Sequence, residues 1–178
     1  MFLRFIRKLI LLSVFIVVII YCSPIALKYY ANLEGPLFIG KGSHILGAKI
    51  SQSVIGPGCK IGGEVKQSLF YKNSNKAHDG YIGNSIVGEW VNLGSGTTTS
   101  NLNLNYQDIS VSLNNEKIKT NTQFLGSIIG DHVKTGIGTL LNTGTHIGFG
   151  SAIYGGGMPQ EKEIPALRWG KPGNYQAH

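Results

Sequence analysis

The stretch from Ile129 to Ile153, read in sixes as IGDHVK, TGIGTL, LNTGTH, IGFGSA and a final Ile, decides the fold. Ile129, Thr135, Leu141, Ile147 and Ile153 stand six apart. Four positions after each of the first four come Val133, Thr139, Thr145 and Ser151, all small or β-branched. A period of six is neither the ~3.6 of a helix nor the ~2 of an ordinary strand. It is the period of a hexapeptide β-helix, in which each hexad supplies one short strand and one turn and three hexads close a triangular coil. Working outward, Ile-Gly recurs at Ile39, Ile55, Ile61, Ile82, Ile129, Ile137 and Ile147, with Leu46, Val87 and Leu93 also followed by glycine. An antiparallel sandwich would instead show alternation and turn signals roughly every 8–12 residues. The sequence therefore predicts an all-β parallel β-helix over residues 35–157, of roughly five coils, with Ile129, Leu141, Ile147 and Ile153 inside.

The register blurs over residues 66–80 and breaks at 101–124. There, two alternating runs, Ile109 to Leu113 and Lys117 to Lys119, flank Asn114-Asn115. This predicts a hairpin inserted at about 101–124 that protrudes from the stack, and insertions into solenoids often line the binding face. After Gly155-Gly156-Gly157 a tail, residues 158–178 with Trp169, reads as a cap or an arm on a neighbouring subunit.

Composition narrows the function. Glycine takes 25 of 178 positions, about twice the usual ~7%. The net charge of +7 is uneven. Arg4, Arg7, Lys8 and Lys28 flank the hydrophobic start, and residues 29–178 hold 12 basic against 9 acidic side chains. No basic stripe with interleaved aromatics appears, so nucleic acid is not an expected partner. Cys22 and Cys59 form neither a disulfide framework nor a zinc spacing, and no metal is implied. Leu9 to Leu27 carries no charge, and as a helix it would measure ~28 Å, near the ~30 Å of a bilayer core. Residues 1–28 are therefore expected to hold an N-terminal apolar helix, best read as an uncleaved membrane anchor; the alternatives are a buried helix, a surface-lying segment or a cap on the open end of the solenoid.

No P-loop, no G-x-G-x-x-G unit and no G-x-S-x-G elbow occurs. The segments Glu64-Val65-Lys66, Lys76-Ala77-His78-Asp79-Gly80-Tyr81-Ile82-Gly83 and Val91-Asn92-Leu93-Gly94-Ser95-Gly96-Thr97-Thr98-Thr99-Ser100-Asn101 resemble the C-terminal left-handed β-helix of the bifunctional N-acetylglucosamine-1-phosphate uridylyltransferase/glucosamine-1-phosphate acetyltransferase. They resemble still more the related sugar nucleotidyltransferases, in which a hairpin after the asparagine leads into a sequence like Leu125 to Asp131.

The resemblance implies a left-handed solenoid, a homotrimer, and acetyl-CoA as co-substrate. It places the catalytic base on His78, since an imidazole can accept the proton of an attacking amine near neutral pH. It places the substrate-binding positions on Lys66, Tyr81, Asn92 and Asn101, and the acetyl-CoA contacts near Ser95 and Ile137, where Ile137 replaces a serine. Each also has a plain structural reading: a histidine satisfied in a turn, asparagines stacked between coils.

The sequence also departs from the family. The sugar phosphate is held there by an arginine; the matching stretch, Leu46 to Ile50, offers only Lys49, and no arginine lies between Arg7 and Arg168. Lysine lacks the bidentate fork. The nucleotidyltransferase domain has no counterpart, so the chain reads as a short form or a piece of a longer protein. Two functions follow: transfer of acetyl from acetyl-CoA to an amino-sugar phosphate, or a non-catalytic, trimerising or regulatory β-helix of a sugar-1-phosphate nucleotidyltransferase. The basic residues before Leu9 favour a cytoplasmic N-terminus with the rest outside, whereas acetyl-CoA and sugar phosphates argue for the cytoplasmic face of the membrane.

Overall fold

The computed structural model describes residues 18–20, 26–28, 30–114, 116–159 and 161–177. The six-residue period appears as stacked coils, each laying a short strand on three parallel faces. Ile129 pairs with Ile147, so three hexads make one circuit. The first face carries eight strands: Val18–Ile20, Leu37–Ile39, Val54–Ile55, Leu69–Phe70, Ile86–Val87, Ile128–Ile129, His146–Ile147 and Glu163–Ile164. The second runs from Ala26–Lys28 through His44–Leu46, Lys60–Ile61, Asn75–Lys76, Asn92–Leu93, Lys134–Thr135 and Ala152–Ile153 to Arg168–Lys171. The third runs Asn32–Glu34, Lys49–Ser51, Glu64–Lys66, Tyr81–Gly83. Thr98–Thr99 continues it through hydroxyls, which accept from the Tyr81 and Gly83 amides at 3.4 and 3.0 Å.

Most of the two-residue strands bury one side chain and expose or half-expose the other. Ile39, Ile55, Phe70, Val87, Ile129, Ile147 and Ile164 line the first face from within, and all are buried. The four expected core residues, Ile129, Leu141, Ile147 and Ile153, are at most 2% exposed. A fully buried aliphatic side chain contributes roughly 1.5–3 kcal/mol. The small corner residues have a second use: turn amides need acceptors that the ladder does not supply. Ser53 Oγ accepts from the Ser68 amide, Ser68 Oγ from Ser85 and Ser85 Oγ from Ser127, at 2.9–3.1 Å. The corner one residue earlier is Gln52, Gln67 and Asn84, all in left-handed conformation.

Three expectations need correction. The eight strands of the first face mark more coils than roughly five, because the end coils lack the Ile-Gly signature: one begins at Val18–Ile20, the other includes Glu163–Ile164. The apolar helix is not formed at Val18–Ile20 or Ala26–Lys28, which are strands paired with Leu37–Ile39 and His44–Leu46. A charge-free β-branched run, Val17-Val18-Ile19-Ile20, suits a buried parallel strand as well as a membrane helix. The remainder of residues 1–28 lies outside the described residues apart from Ala26–Lys28, and among the described residues no helix is long and apolar enough to cross a membrane. The hairpin forms as expected, Ser110–Leu113 against Glu116–Lys119, yet it does not stand away from the stack. Its first strand lies along His146–Ile147 and Glu163–Ile164, burying Ile109 and Val111, and the Asn114 amide donates to Glu163 Oε1 at 2.6 Å. The tail closes the solenoid: Asn174–Ala177 pairs antiparallel with Arg168–Lys171, and Tyr175 packs on the core.

Ile147 touches no water. Ile147→Asp buries an unpaired carboxylate, an effect of several kcal/mol in the unfavourable direction, and should leave the solenoid unable to fold cooperatively in thermal denaturation followed by circular dichroism. A soluble variant with a wild-type transition would contradict the register.

Candidate active site

The site is set by one coil resting on another. Gly62 and Gly63 end the second-face strand below, and the turn from Ala77 to Gly80 lies directly on them. A Cβ at Gly62 would strike the Ala77 carbonyl, and one at Gly63, whose φ is +65°, would meet the carbonyls of Gly80 and His78 at 2.7 and 3.0 Å. Only glycine at this pair lets the turn descend so far. The turn presents His78, exposed, at the edge between the second and third faces. One coil further on, Ser95 takes the same place, because Asn92 pairs with Asn75; one more, Ile137, because Lys134 pairs with Asn92. The Gly96 amide donates to the Asp79 carbonyl at 2.9 Å and the Gly138 amide to Ser95 at 2.8 Å. His78, Ser95 and Ile137 thus climb one edge in steps of ~4.8 Å, the spacing of paired strands, and Ile137 is 78% exposed.

Around the edge lies the third face. Tyr81 pairs with Glu64 and Gly83 with Lys66. The Tyr81 ring lies over Gly83, where a Cβ would fall inside it. Asn101 Nδ2 donates to Tyr81 Oη at 3.1 Å and to Asn84 Oδ1 at 2.6 Å, and Asn84 Nδ2 donates to Gln67 Oε1 at 3.3 Å. This ladder fixes the phenol oxygen as an acceptor and leaves its proton free to donate outward. Burial pushes the Tyr81 phenol up, the Glu64 carboxylate adds to this, and the Asn101 amide pulls it back in part. Lys49 bridges Glu64 at 3.2 Å, both well exposed, so the pair holds little stability. Its charge is already engaged in the place where the resemblance wants an arginine.

The expected site residues therefore separate. Lys66, Tyr81 and Asn101 gather on the third face, and His78, Ser95 and Ile137 line the adjoining edge. Asn92 stands apart: it accepts from Asn75 Nδ2 at 2.6 Å on the second face, an asparagine pair between coils.

Lys76 was not among the expected site residues. Phe70, Lys76 and Ile82 stand six apart, and the register puts Lys76 inward, over Ile61. It is 1% exposed, and its ammonium donates to the His78 carbonyl. Burial brings its pKa down to about 8, against a partial opposing pull from Asp79. Following the hexad through the blurred stretch would have exposed this lysine in an interior position.

No family model matches the chain. It is 37% identical over 101 residues to a bifunctional sugar-1-phosphate nucleotidylyltransferase/acetyltransferase of Sulfurisphaera tokodaii, covering 56% of this chain and 25% of the relative. It is 43% identical over 90 residues to the bifunctional protein GlmU of Methanococcus aeolicus, covering 51% of this chain and 22% of the relative. The matched part thus spans about a quarter of the length of these curated relatives. The solved structure of AntD, an N-acyltransferase from Bacillus cereus in complex with dTDP and 3-hydroxybutyryl-CoA, aligns at TM-score 0.43 and 14% identity over 84% of this chain and 76% of that one, too loosely to weigh on the site.

Lys76 also sets a pH dependence. Its folded pKa, about 8, lies below the 10.5 of an ordinary lysine, so between these values the unfolded chain holds more protons and stability rises with pH. Urea unfolding should show wild type gaining roughly 2 kcal/mol relative to Lys76→Met between pH 7.5 and 10; parallel curves would mean that the amine titrates normally.

Proposed function

We propose that the protein is an acyltransferase that moves an acetyl group from acetyl-CoA to the amino group of a sugar phosphate. The observation that carries this reading is the alignment of His78, Ser95 and Ile137 on one edge, adjoining the face that holds Tyr81, Asn101 and Lys66. Its support from relatives is the acetyltransferase half of the Sulfurisphaera tokodaii protein's name.

The edge suits a long co-substrate. Gly138 has open space beside it, Ile137 offers an exposed apolar step, and Ser95 a half-buried hydroxyl. When bound, acetyl-CoA supplies an activated acyl carbon whose C–S bond breaks as the new C–N bond forms. On the protein's side, Lys66 would neutralise the phosphate as a point charge. Tyr81 would donate its free proton to a sugar oxygen, held in line by Asn101. His78 would accept the proton the amine loses and return it to the departing thiolate. The reading carries with it the homotrimer of the family, in which a neighbouring subunit would close the open edge. It also places the solenoid in the cytoplasm, where acyl-CoA and sugar phosphates are found.

A second reading, a non-catalytic β-helix of a nucleotidyltransferase, draws on one specific observation: Lys49 is spent on Glu64 and no arginine replaces it.

Turnover of acetyl-CoA with glucosamine-1-phosphate should fall by roughly 10²–10⁴ on His78→Ala, the range for a positioned general base, in an assay of released thiol. Unchanged turnover removes His78 from the mechanism; absence of wild-type turnover across amino-sugar phosphates favours the second reading. Protease added to intact spheroplasts should leave the hairpin around Asn114 uncut; cleavage there puts the domain outside and defeats the enzymatic reading.

A further inference from the structure

The interior column of the second face reads Ile45, Ile61, Lys76, Leu93, Thr135, Ile153. Five of these are ordinary fillers of a solenoid. The third is a lysine with 1% of its surface exposed, seated between an isoleucine below and a leucine above. Packing does not call for it. A methionine or isoleucine would fill the same space without taking a charge out of water, and a buried charge has a large desolvation cost unless its hydrogen bonds are met.

What the lysine does instead is reach out of the core. The side chain runs beneath the turn, and Nζ donates to the carbonyl of His78. Gly63 makes the room: a Cβ there would stand 3.0 Å from Nζ and 3.0 Å from the His78 carbonyl. The charged neighbour on the same turn is Asp79, whose carboxylate favours the ammonium form. The rest of the turn is held by two amides from neighbouring coils, Glu64 to the Gly80 carbonyl at 3.1 Å and Gly96 to Asp79 at 2.9 Å. The Lys76 bond adds to these a tie at the residue that bears the imidazole, made from inside the solenoid.

We propose that Lys76 is a positioning residue: its buried amine braces the Ala77–Gly80 turn from within and so fixes where His78 presents its imidazole. The inference rests on the acyltransferase reading for its kinetic consequence, but the brace itself is independent of it. A general base displaced by about 1 Å can lose on the order of 10²-fold in rate, so a costly buried group under a catalytic turn is intelligible where the same group elsewhere in the column would not be.

The test uses Lys76→Met and Lys76→Ile in the full chain. Both variants should fold, with a melting temperature at or above wild type, since each removes a buried charge. Hydrogen exchange should accelerate at the Glu64 and Gly96 amides and remain unchanged at amides of distant coils such as Gly148. With acetyl-CoA and glucosamine-1-phosphate, kcat should fall by about ten- to a hundredfold, while KM for acetyl-CoA stays within about twofold. Unaltered exchange at Glu64 and Gly96 overturns the brace. A fall in kcat accompanied by equal changes in KM and a lowered melting temperature also overturns it, because the lysine would then be supporting the coil at large. Failure of both variants to fold has the same meaning. If the wild type shows no turnover, the acyltransferase reading fails, and the exchange measurement alone decides the role of Lys76.

Discussion

Everything in this molecule depends on one repeated contact: a coil can sit on the next only if the backbone beneath it is in register and the inward side chain beneath it is of the right size. The ladder of amides and carbonyls between Gly130 and Ile147, or Gly56 and Phe70, at 2.8 Å each, fixes the spacing. Once fixed, it carries every feature vertically. Aliphatic residues fall on aliphatic residues, serine hydroxyls on serine amides, left-handed corners on left-handed corners. The candidate site is a product of the same stacking: positions 78, 95 and 137, distant along the chain, share an edge because each ends the same arm of its coil.

That regularity explains what was legible in the sequence. Ile129 to Ile153 displays the period without interruption, and its inward residues are the buried ones. Asn114 falls in the hairpin turn as its flanking alternation requires. The end coils were hidden, since Val18–Ile20 and Glu163–Ile164 have no Ile-Gly to announce them, and a short charge-free β-branched run is hard to tell from an apolar helix by composition. The hairpin's docking was hidden for another reason: nothing local tells Ile109 and Val111 which surface will cover them. Within the site, the family resemblance names Tyr81, Asn92 and Asn101 together; the structure joins Asn101 to Tyr81, while Asn92 is claimed by Asn75. Lys76 was legible in principle and obscured by its own improbability, because a charged residue in the interior position looks like a loss of register.

The electrostatics of the site are spare. Lys49 and Glu64 cancel, and Lys66, paired with Gly83, is an exposed cation on the same face as Tyr81. Asn101, Asn84 and Gln67 form an uncharged ladder that sets the direction of one phenol. Such a surface orients a polar ligand through donors more than it attracts one through field. Under the proposed function, recognition of a hydroxylated ring would fall to a few amides and an anionic group to Lys66, without the bidentate grip of an arginine.

The way the second face ends has a consequence for the molecule's behaviour in company. A stack of parallel strands exposes unpaired amides and carbonyls at its terminus, and such an edge is a template on which another chain can grow. Here the last parallel strand, Arg168–Lys171, is met by the chain's own antiparallel return, Asn174–Ala177, whose Tyr175 covers the end of the core. On the first face the final strand is two residues long and is followed at once by Pro165, which has no amide to offer. At the C-terminal end the apolar core is thereby covered, and the edge that remains on the second face is the short, largely polar strand Asn174–Ala177 in place of a bare parallel stack.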